Sequence, residues 1–214
     1  SLNYLHYFLS MVPDNAGNEA LDSLRKLLIA PGIAIAAILF SELPIRDGIR
    51  QRTLLYPLLG PVPRWILVVV RTVATGAILA FSAIILLLII RFLHGEGLSQ
   101  LPQEAMAIAL ASFAYTGLFG VVHMVTKRGL FAGLATLLIF DSPLAQLPFG
   151  IRRLSLSYHT QVLGDQLVEL QLPVDLGTPE NSVVLSAITL LIMAAVFIGI
   201  ASFLFSKKPL GELC

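Results

Sequence analysis

The chain alternates long apolar runs with short polar stretches, a pattern typical of a protein that crosses a membrane several times. A hydrocarbon core of about 30 Å requires roughly 20 apolar residues in a helix. On this criterion the pattern predicts spans over 27–43, 65–90, 105–126 and 183–205. A fifth run, 129–149, contains Asp141, Pro143 and Pro148, so it predicts a span whose last third is irregular or re-entrant.

Two further stretches complete the expected architecture. Residues 2–12 are apolar but too short to cross a membrane, and we interpret them as the remnant of a largely missing first span. Residues 150–182 mix apolar and polar side chains, which predicts an outer segment of short helices that lie against the headgroups or fold back into the protein. We therefore expect an all-α membrane protein, a polytopic helical bundle of about six transmembrane helices forming one domain over 1–214.

The connector 44–64 between the first two complete spans has a pattern of its own. Arg46, Arg50 and Arg52 are crowded together, and three prolines end the stretch before the next span. Leucine and isoleucine recur at spacings of three and four residues, which predicts a short amphipathic helix at the cytoplasmic surface that docks a partner. The alternative is a basic loop that only follows the general enrichment of cytoplasmic loops in positive charge.

Composition supports the membrane assignment and excludes several function classes. With 57% hydrophobic residues, 13% charged residues and a mean hydropathy of +0.86, the chain has too few polar side chains to cover a soluble globule. The net charge of +1 argues against a nucleic-acid partner. A single cysteine and four widely separated histidines argue against a disulfide and a zinc site. The sequence has no Gly-x-x-x-x-Gly-Lys-Ser/Thr loop, no Gly-x-Ser-x-Gly elbow and no His-Glu-x-x-His motif, so we expect no catalytic residue, cofactor or metal site in this chain.

The basic residues also predict an orientation. Cytoplasmic loops are enriched in lysine and arginine, and most of the 14 basic residues fall on one side if 44–64 is cytoplasmic. Alternation of the spans then places 127–128 and 206–214 on the same side. We expect a multi-pass protein of the cell's inner, or plasma, membrane.

Three ionisable residues lie in or beside the predicted spans, and each leaves two interpretations open. Arg71 is either a pathway or interface cation or a side chain that snorkels to the inner headgroups. His123 is either an ordinary interfacial histidine or a polar contact of the connector. Asp141 either breaks its helix or presents a carboxylate to a substrate or cation.

One set of residues lies within the connector and on either side of it. It comprises Glu42, Arg46-Asp47-Gly48, Thr53-Leu54, Leu58-Leu59, Pro61-Val62-Pro63-Arg64 and Arg71. This set, with the layout of spans from about 27 to 208, resembles the ABC-2 type permeases, the membrane subunits of a large class of ABC exporters. That family usually has a glycine directly before the threonine, whereas here the glycine stands at position 48.

The resemblance implies a permease subunit of an ATP-driven ABC exporter. Two chains, as a homodimer or heterodimer in the membrane lipid, would form the translocation pathway. Each would dock a separate ABC ATPase subunit, which binds ATP and magnesium, through residues 44–63. The implied docking residues are Arg46, Asp47, Arg50, Arg52, Thr53 and Arg64. The alternative is a non-transporting scaffold or assembly subunit of a larger membrane complex, because few polar residues lie in the spans.

Overall fold

The computed structural model describes residues 16–50, 63–94, 100–126, 128–146, 150–164 and 183–207, and every regular element in these ranges is helical. The helices are α1 (Ala16–Leu27), α2 (Ile33–Arg50), α3 (Arg64–His94), α4 (Leu101–Val125), α5 (Gly129–Ala135), α6 (Ser142–Gln146), α7 (Leu156–Leu163) and α8 (Val183–Lys207). Two π-helical turns, Leu28–Gly32 and Thr136–Asp141, and a 3-10 turn, Gly150–Leu154, join some of them. The predicted all-α class is confirmed for this part of the chain.

Within the described residues, three helices are long and apolar enough to cross a membrane. They cover Trp65–Leu93, Leu101–Val125 and Val183–Lys207, and they coincide with three of the predicted spans. A shorter apolar helical stretch covers Gly129–Leu144. The segment predicted as the span 27–43 is helical throughout, although its membrane crossing and the total of six spans stay predictions.

The two π-helical turns have a common geometry. In the first, the amide of Ile33 donates to Leu28 O, five residues back, and Pro31 lies inside the turn. Because proline has no amide hydrogen and its ring crowds the preceding turn, the wider turn keeps the helix continuous there. In the second, the amide of Ser142 donates to Leu137 O. The predicted interruption at Asp141 is thus a widened turn within a continuous helical stretch from 129 to 146.

Helix α4 is the centre of the bundle. It packs against α2, α3, α5, α7 and α8. In its most apolar 18-residue stretch 56% of the residues are buried, whereas in the corresponding stretch of α8 the fraction is 17%. Small residues allow this close packing: a Cβ on Gly76 would lie 2.7 Å from Phe113 Cδ1, and one on Gly117 would lie 3.1 Å from Phe197 Cβ. Helix α8 therefore presents most of its surface outward, as expected for a helix at the lipid boundary.

Helix α7 is short and almost entirely buried. It packs against α4, α8 and the Leu28–Gly32 turn, and seven of its eight side chains are buried. It belongs to the segment 150–182 that the sequence predicts to be outer and mixed in character. Within the described part of that segment, α7 folds back into the protein, whereas Arg153 and Leu154 of the preceding turn are exposed.

Candidate functional site

The carboxylate of Asp141 is the centre of the most extensive buried polar cluster among the described residues. Its Oδ2 accepts hydrogen bonds from the hydroxyls of Tyr115 (2.6 Å) and Ser157 (2.5 Å). Its Oδ1 accepts from the hydroxyl of Ser155 (2.9 Å) and the amide of Leu156 (2.7 Å), while the Ser157 amide lies 3.2 Å from Oδ2. Every one of these contacts is made by a donor, which matches the acceptor-only character of a carboxylate.

The cluster forms because α7 begins there. The first amides of a helix have no acceptor within the helix, and its N-terminal end carries a partial positive charge. Ser155 is the N-cap residue of α7, with an extended backbone, and its hydroxyl accepts from the amide of Tyr158 (3.2 Å). Asp141 supplies the remaining acceptors from a neighbouring stretch of chain. It therefore fastens the start of α7 to the end of the second π-helical turn and, through Tyr115, to α4.

One interpretation of Asp141 is that its carboxylate faces a substrate or cation. The structure does not place this carboxylate on an open surface. The residue is 7% exposed, and both oxygens are engaged by groups of the same chain. The sequence singled out Asp141 but not its partners, because Tyr115, Ser155 and Ser157 are separated from it by 26, 14 and 16 residues.

His159 lies in the second turn of α7 and adds a further buried polar group. Its Nε2–H donates to the carbonyl of Arg153 (2.8 Å), while Nδ1 is buried and has no hydrogen-bond partner in the described part of the chain. Burial lowers the pKa of this imidazole, and α7 lies outside the three candidate spans. A neutral imidazole agrees with the bond to Arg153, which needs only one ring N–H.

A buried ion cluster at the other end of α4 was not predicted from the sequence. Glu104 and Arg91 are each 2% exposed, and Arg91 Nε donates to Glu104 Oε2 at 2.9 Å. Arg25 Nε lies 3.4 Å from Glu104 Oε1. The sequence placed Arg91 in a loop, but α3 continues to His94, which brings Arg91 into the protein beside the first turn of α4. The cluster joins α1, α3 and α4.

Arg71 borders a small cavity between α2, α3, α4 and α8. The cavity has a volume of about 30 Å³, which is room for about two water molecules. Its polar lining residues are Ser41, Arg71, Thr72, Thr75 and Thr116. The hydroxyl hydrogens of Thr75 and Thr116 are donated to carbonyls of their own helices, so these groups offer acceptor lone pairs to the cavity. The side chain of Arg71 is partly buried there, which agrees with a position inside a helix interface.

His123 connects three helices at the same end of the bundle as Arg71. Its Nδ1–H donates to Phe119 O (2.6 Å), and Ser41 Oγ of α2 lies 3.4 Å from Nδ1. Its ring packs against Gly129 at the start of α5, where a Cβ would overlap the ring. Ser41 lies on the helix that continues into the predicted connector, so the structure brings His123 close to the beginning of that segment.

The predicted docking residues are only partly within the described residues. Arg46, Asp47 and Arg50 lie in the last turns of α2, and Arg64 is the first residue of α3. Arg52 and Thr53 lie outside the described residues. The stretch 44–50 continues α2, whereas the sequence pattern predicted a helix separate from the span.

Comparisons with known proteins do not identify a relative of this chain. No protein-family model, curated protein or solved structure matches it.

Proposed function

We propose that this chain is the membrane-spanning permease subunit of an ATP-driven exporter of the ABC-2 type. The observation that carries the proposal is the continuity of α2, which runs from Ile33 inside the bundle to Arg50 in the basic connector. The connector then leads into α3, and both α2 and α3 pack on the central helix α4. A force applied to residues 44–63 would therefore act on two helices that contact the centre of the bundle.

Close packing supports the transmission of such a force. Packed interfaces resist compression, so helices move as rigid bodies between a few arrangements and do not deform smoothly. The close approach at Gly76 joins α3 to α4, and the contact between Ser41 and His123 joins α2 to α4. In the proposed mechanism a separate ATPase binds ATP and magnesium, and two permease chains, identical or paired, contribute different contacts in the inward and outward states.

The proposal places the chain in the plasma membrane with several crossings. Residues 44–64, 127–128 and 206–214 would face the cytoplasm. The cavity lined by Ser41, Met124 and Phe205 supports a common side for these segments, because it brings the middle of α2 together with the C-terminal ends of α4 and α8. Arg71 would then lie near the cytoplasmic end of that interface.

The test is a matched pair of charge reversals, measured on the complex purified from its native membrane in mild detergent. Arg50→Glu changes the proposed docking segment. Lys26→Glu changes an exposed residue in α1, beside the buried ion cluster at the opposite end of α4. We expect the wild type and Lys26→Glu to copurify with an ATP-binding subunit and to hydrolyse ATP. We expect Arg50→Glu to lose about tenfold or more of the bound subunit and of the ATPase activity, because the loss of one buried charge pair weakens an interface by at least about this factor.

Two results would contradict the proposal. One is a native complex that contains no ATP-binding subunit and has no ATPase activity. The other is an Arg50→Glu variant that keeps both properties at the wild-type level. The alternative, a non-transporting scaffold subunit, is favoured by the saturation of the Asp141 carboxylate within the chain. That alternative predicts that Arg50→Glu impairs assembly of a larger complex while transport by other subunits continues.

A further inference from the structure

The depth of the Asp141 cluster can be measured along α4. Tyr115 is 14 residues after Leu101 and ten before Val125. At the rise of an α-helix these separations are about 21 Å and 15 Å, so Tyr115 lies near the middle of a hydrocarbon core of about 30 Å. The Tyr115 hydroxyl bonds to both Asp141 and Ser157. The start of α7 is therefore within one side-chain length of this level.

Two arginines lie beside that point. Arg152 and Arg153 belong to the 3-10 turn that leads into α7, and Ser155, two residues further, bonds Asp141. The guanidinium of Arg152 is partly buried and lies 5.0 Å from the centre of the Tyr158 ring, whereas the side chain of Arg153 is exposed. The backbone that carries these two permanent positive charges thus adjoins the level of Tyr115.

Lipid is an unsuitable surrounding for these charges. An arginine does not lose its proton in a protein, and a guanidinium in hydrocarbon is strongly unfavourable. An extended arginine side chain reaches about 7 Å, roughly half of the ~15 Å between the middle of the core and the headgroups. Non-helical backbone at this depth is likewise tolerated only inside protein or beside water.

We propose that the face carrying Arg152 and Arg153 lines an aqueous vestibule that enters the membrane from the outer side and reaches the level of Asp141. Its two guanidinium groups make the vestibule a binding site for anionic groups, such as the carboxylate or phosphate of a solute or of an amphiphile's head. The inference requires that the chain crosses a bilayer, and it does not depend on an ATPase partner.

The structure provides a matched control at the same depth. Phe140 precedes Asp141 and is 62% exposed, and Leu154 precedes Ser155 and is 70% exposed. The hydroxyl of Ser155 donates to both the backbone and the side chain of Asp141, so residues 140 and 154 flank one contact. Phe140 lies on the apolar stretch with Leu138 and Ile139, which are 59% and 66% exposed, as expected for a lipid-facing surface.

The test is cysteine labelling in intact membrane vesicles. Cys214 is the only cysteine, so Cys214→Ser gives a background in which Arg153→Cys, Leu154→Cys and Phe140→Cys are each single thiols. Membrane-impermeant methanethiosulfonates, one anionic and one cationic, are added from the outer side. We expect Arg153→Cys to react at least tenfold faster than Phe140→Cys, because thiolates form in water and not in hydrocarbon.

The anion preference is tested at Leu154→Cys, where both arginines are kept. We expect the ratio of anionic to cationic labelling rates to fall at least threefold when Arg152 and Arg153 are changed to glutamine, and to fall with increasing salt. An unchanged ratio would overturn the anion site.

The labelling pattern also tests whether the vestibule exists and from which side it opens. Slow reaction at both 153 and 140 would mean that lipid or another protein covers the arginines, and fast reaction at both would mean that this level lies outside the membrane. Reaction at 153 from the inner side only would reverse the assigned entrance. Each of these three results overturns the proposal. Equal yields and equal gel-filtration profiles of the cysteine variants establish that they are folded.

Discussion

Replacing Asp141 by asparagine removes one acceptor atom and the negative charge from the start of α7. The side chain keeps its size, but its NH₂ group then faces two of the donors that now bond a carboxylate oxygen. On the Oδ2 side these are the hydroxyls of Tyr115 and Ser157, and on the Oδ1 side the hydroxyl of Ser155 and the amide of Leu156. Hydrogen bonds to charged groups contribute about 1.5–3 kcal/mol each, so the loss of two costs about 3–6 kcal/mol.

Hydrogen exchange is the suitable assay, because it measures this loss locally and does not require global unfolding, which is difficult to reverse for a membrane protein. The peptide 155–164 covers α7 and its N-cap residue. Because each 1.4 kcal/mol changes an equilibrium tenfold, a loss of about 3 kcal/mol should accelerate exchange of the α7 amides about 100-fold. Amides in the middle of α4 serve as the internal reference, and we expect their exchange to change much less.

Tyr115→Phe is the graded comparison. It removes one donor and leaves the carboxylate with its other bonds, so we expect a loss of about 1.5–3 kcal/mol, the contribution of one bond to a charged group. In the double variant with Asp141→Asn the two losses should not add, because both groups belong to one network. An Asp141→Asn variant whose α7 amides exchange at the wild-type rate would refute the fastening role of this carboxylate.

Three further predictions follow from the packing. Glu104→Gln removes the charge between Arg91 and Arg25, and should destabilise the protein by about 3–5 kcal/mol, measured by denaturant titration in detergent. Gly129→Ala should cost about 1–3 kcal/mol in the same titration, because the new methyl group overlaps the His123 ring. Gly199→Ala meets no atom within 4 Å and should be neutral or stabilising by up to about 1 kcal/mol, since alanine favours a helix interior. A Gly129→Ala variant as stable as Gly199→Ala would contradict the described contact of α4 with α5.

The helical stretch from 129 to 146 shows how much of the structure a local sequence pattern predicts. Asp141 and Pro143 predicted an irregular stretch, and the structure has a π-helical turn there in an otherwise continuous helix. A proline disturbs the turn before it, which is a local effect and can be predicted. Whether the chain then breaks, kinks or widens depends on the neighbours that receive the displaced groups. Here the neighbour is α7, which the sequence pattern did not locate.

The buried ion cluster of Arg25, Arg91 and Glu104 is a feature that the local sequence pattern does not predict. Arg91 follows a long apolar run and Glu104 precedes another, so both fall outside the predicted spans 65–90 and 105–126. Charged residues at the ends of apolar runs are ambiguous, because the run ends equally well at the membrane surface or inside a protein interface. The extension of α3 to His94 and its packing beside α4 decide the matter.

The sequence by itself determined the all-α class and the positions of three helices that are long and apolar enough to cross a membrane. Those properties are local, since a span needs only enough consecutive apolar residues to satisfy its backbone and match the lipid. Only the tertiary structure decided that α7 folds back beside Tyr115, that Asp141 fastens it there, and that the turn carrying Arg152 and Arg153 directly precedes this attachment. These positions depend on contacts between residues far apart in the chain, which a periodic pattern of apolar residues does not specify.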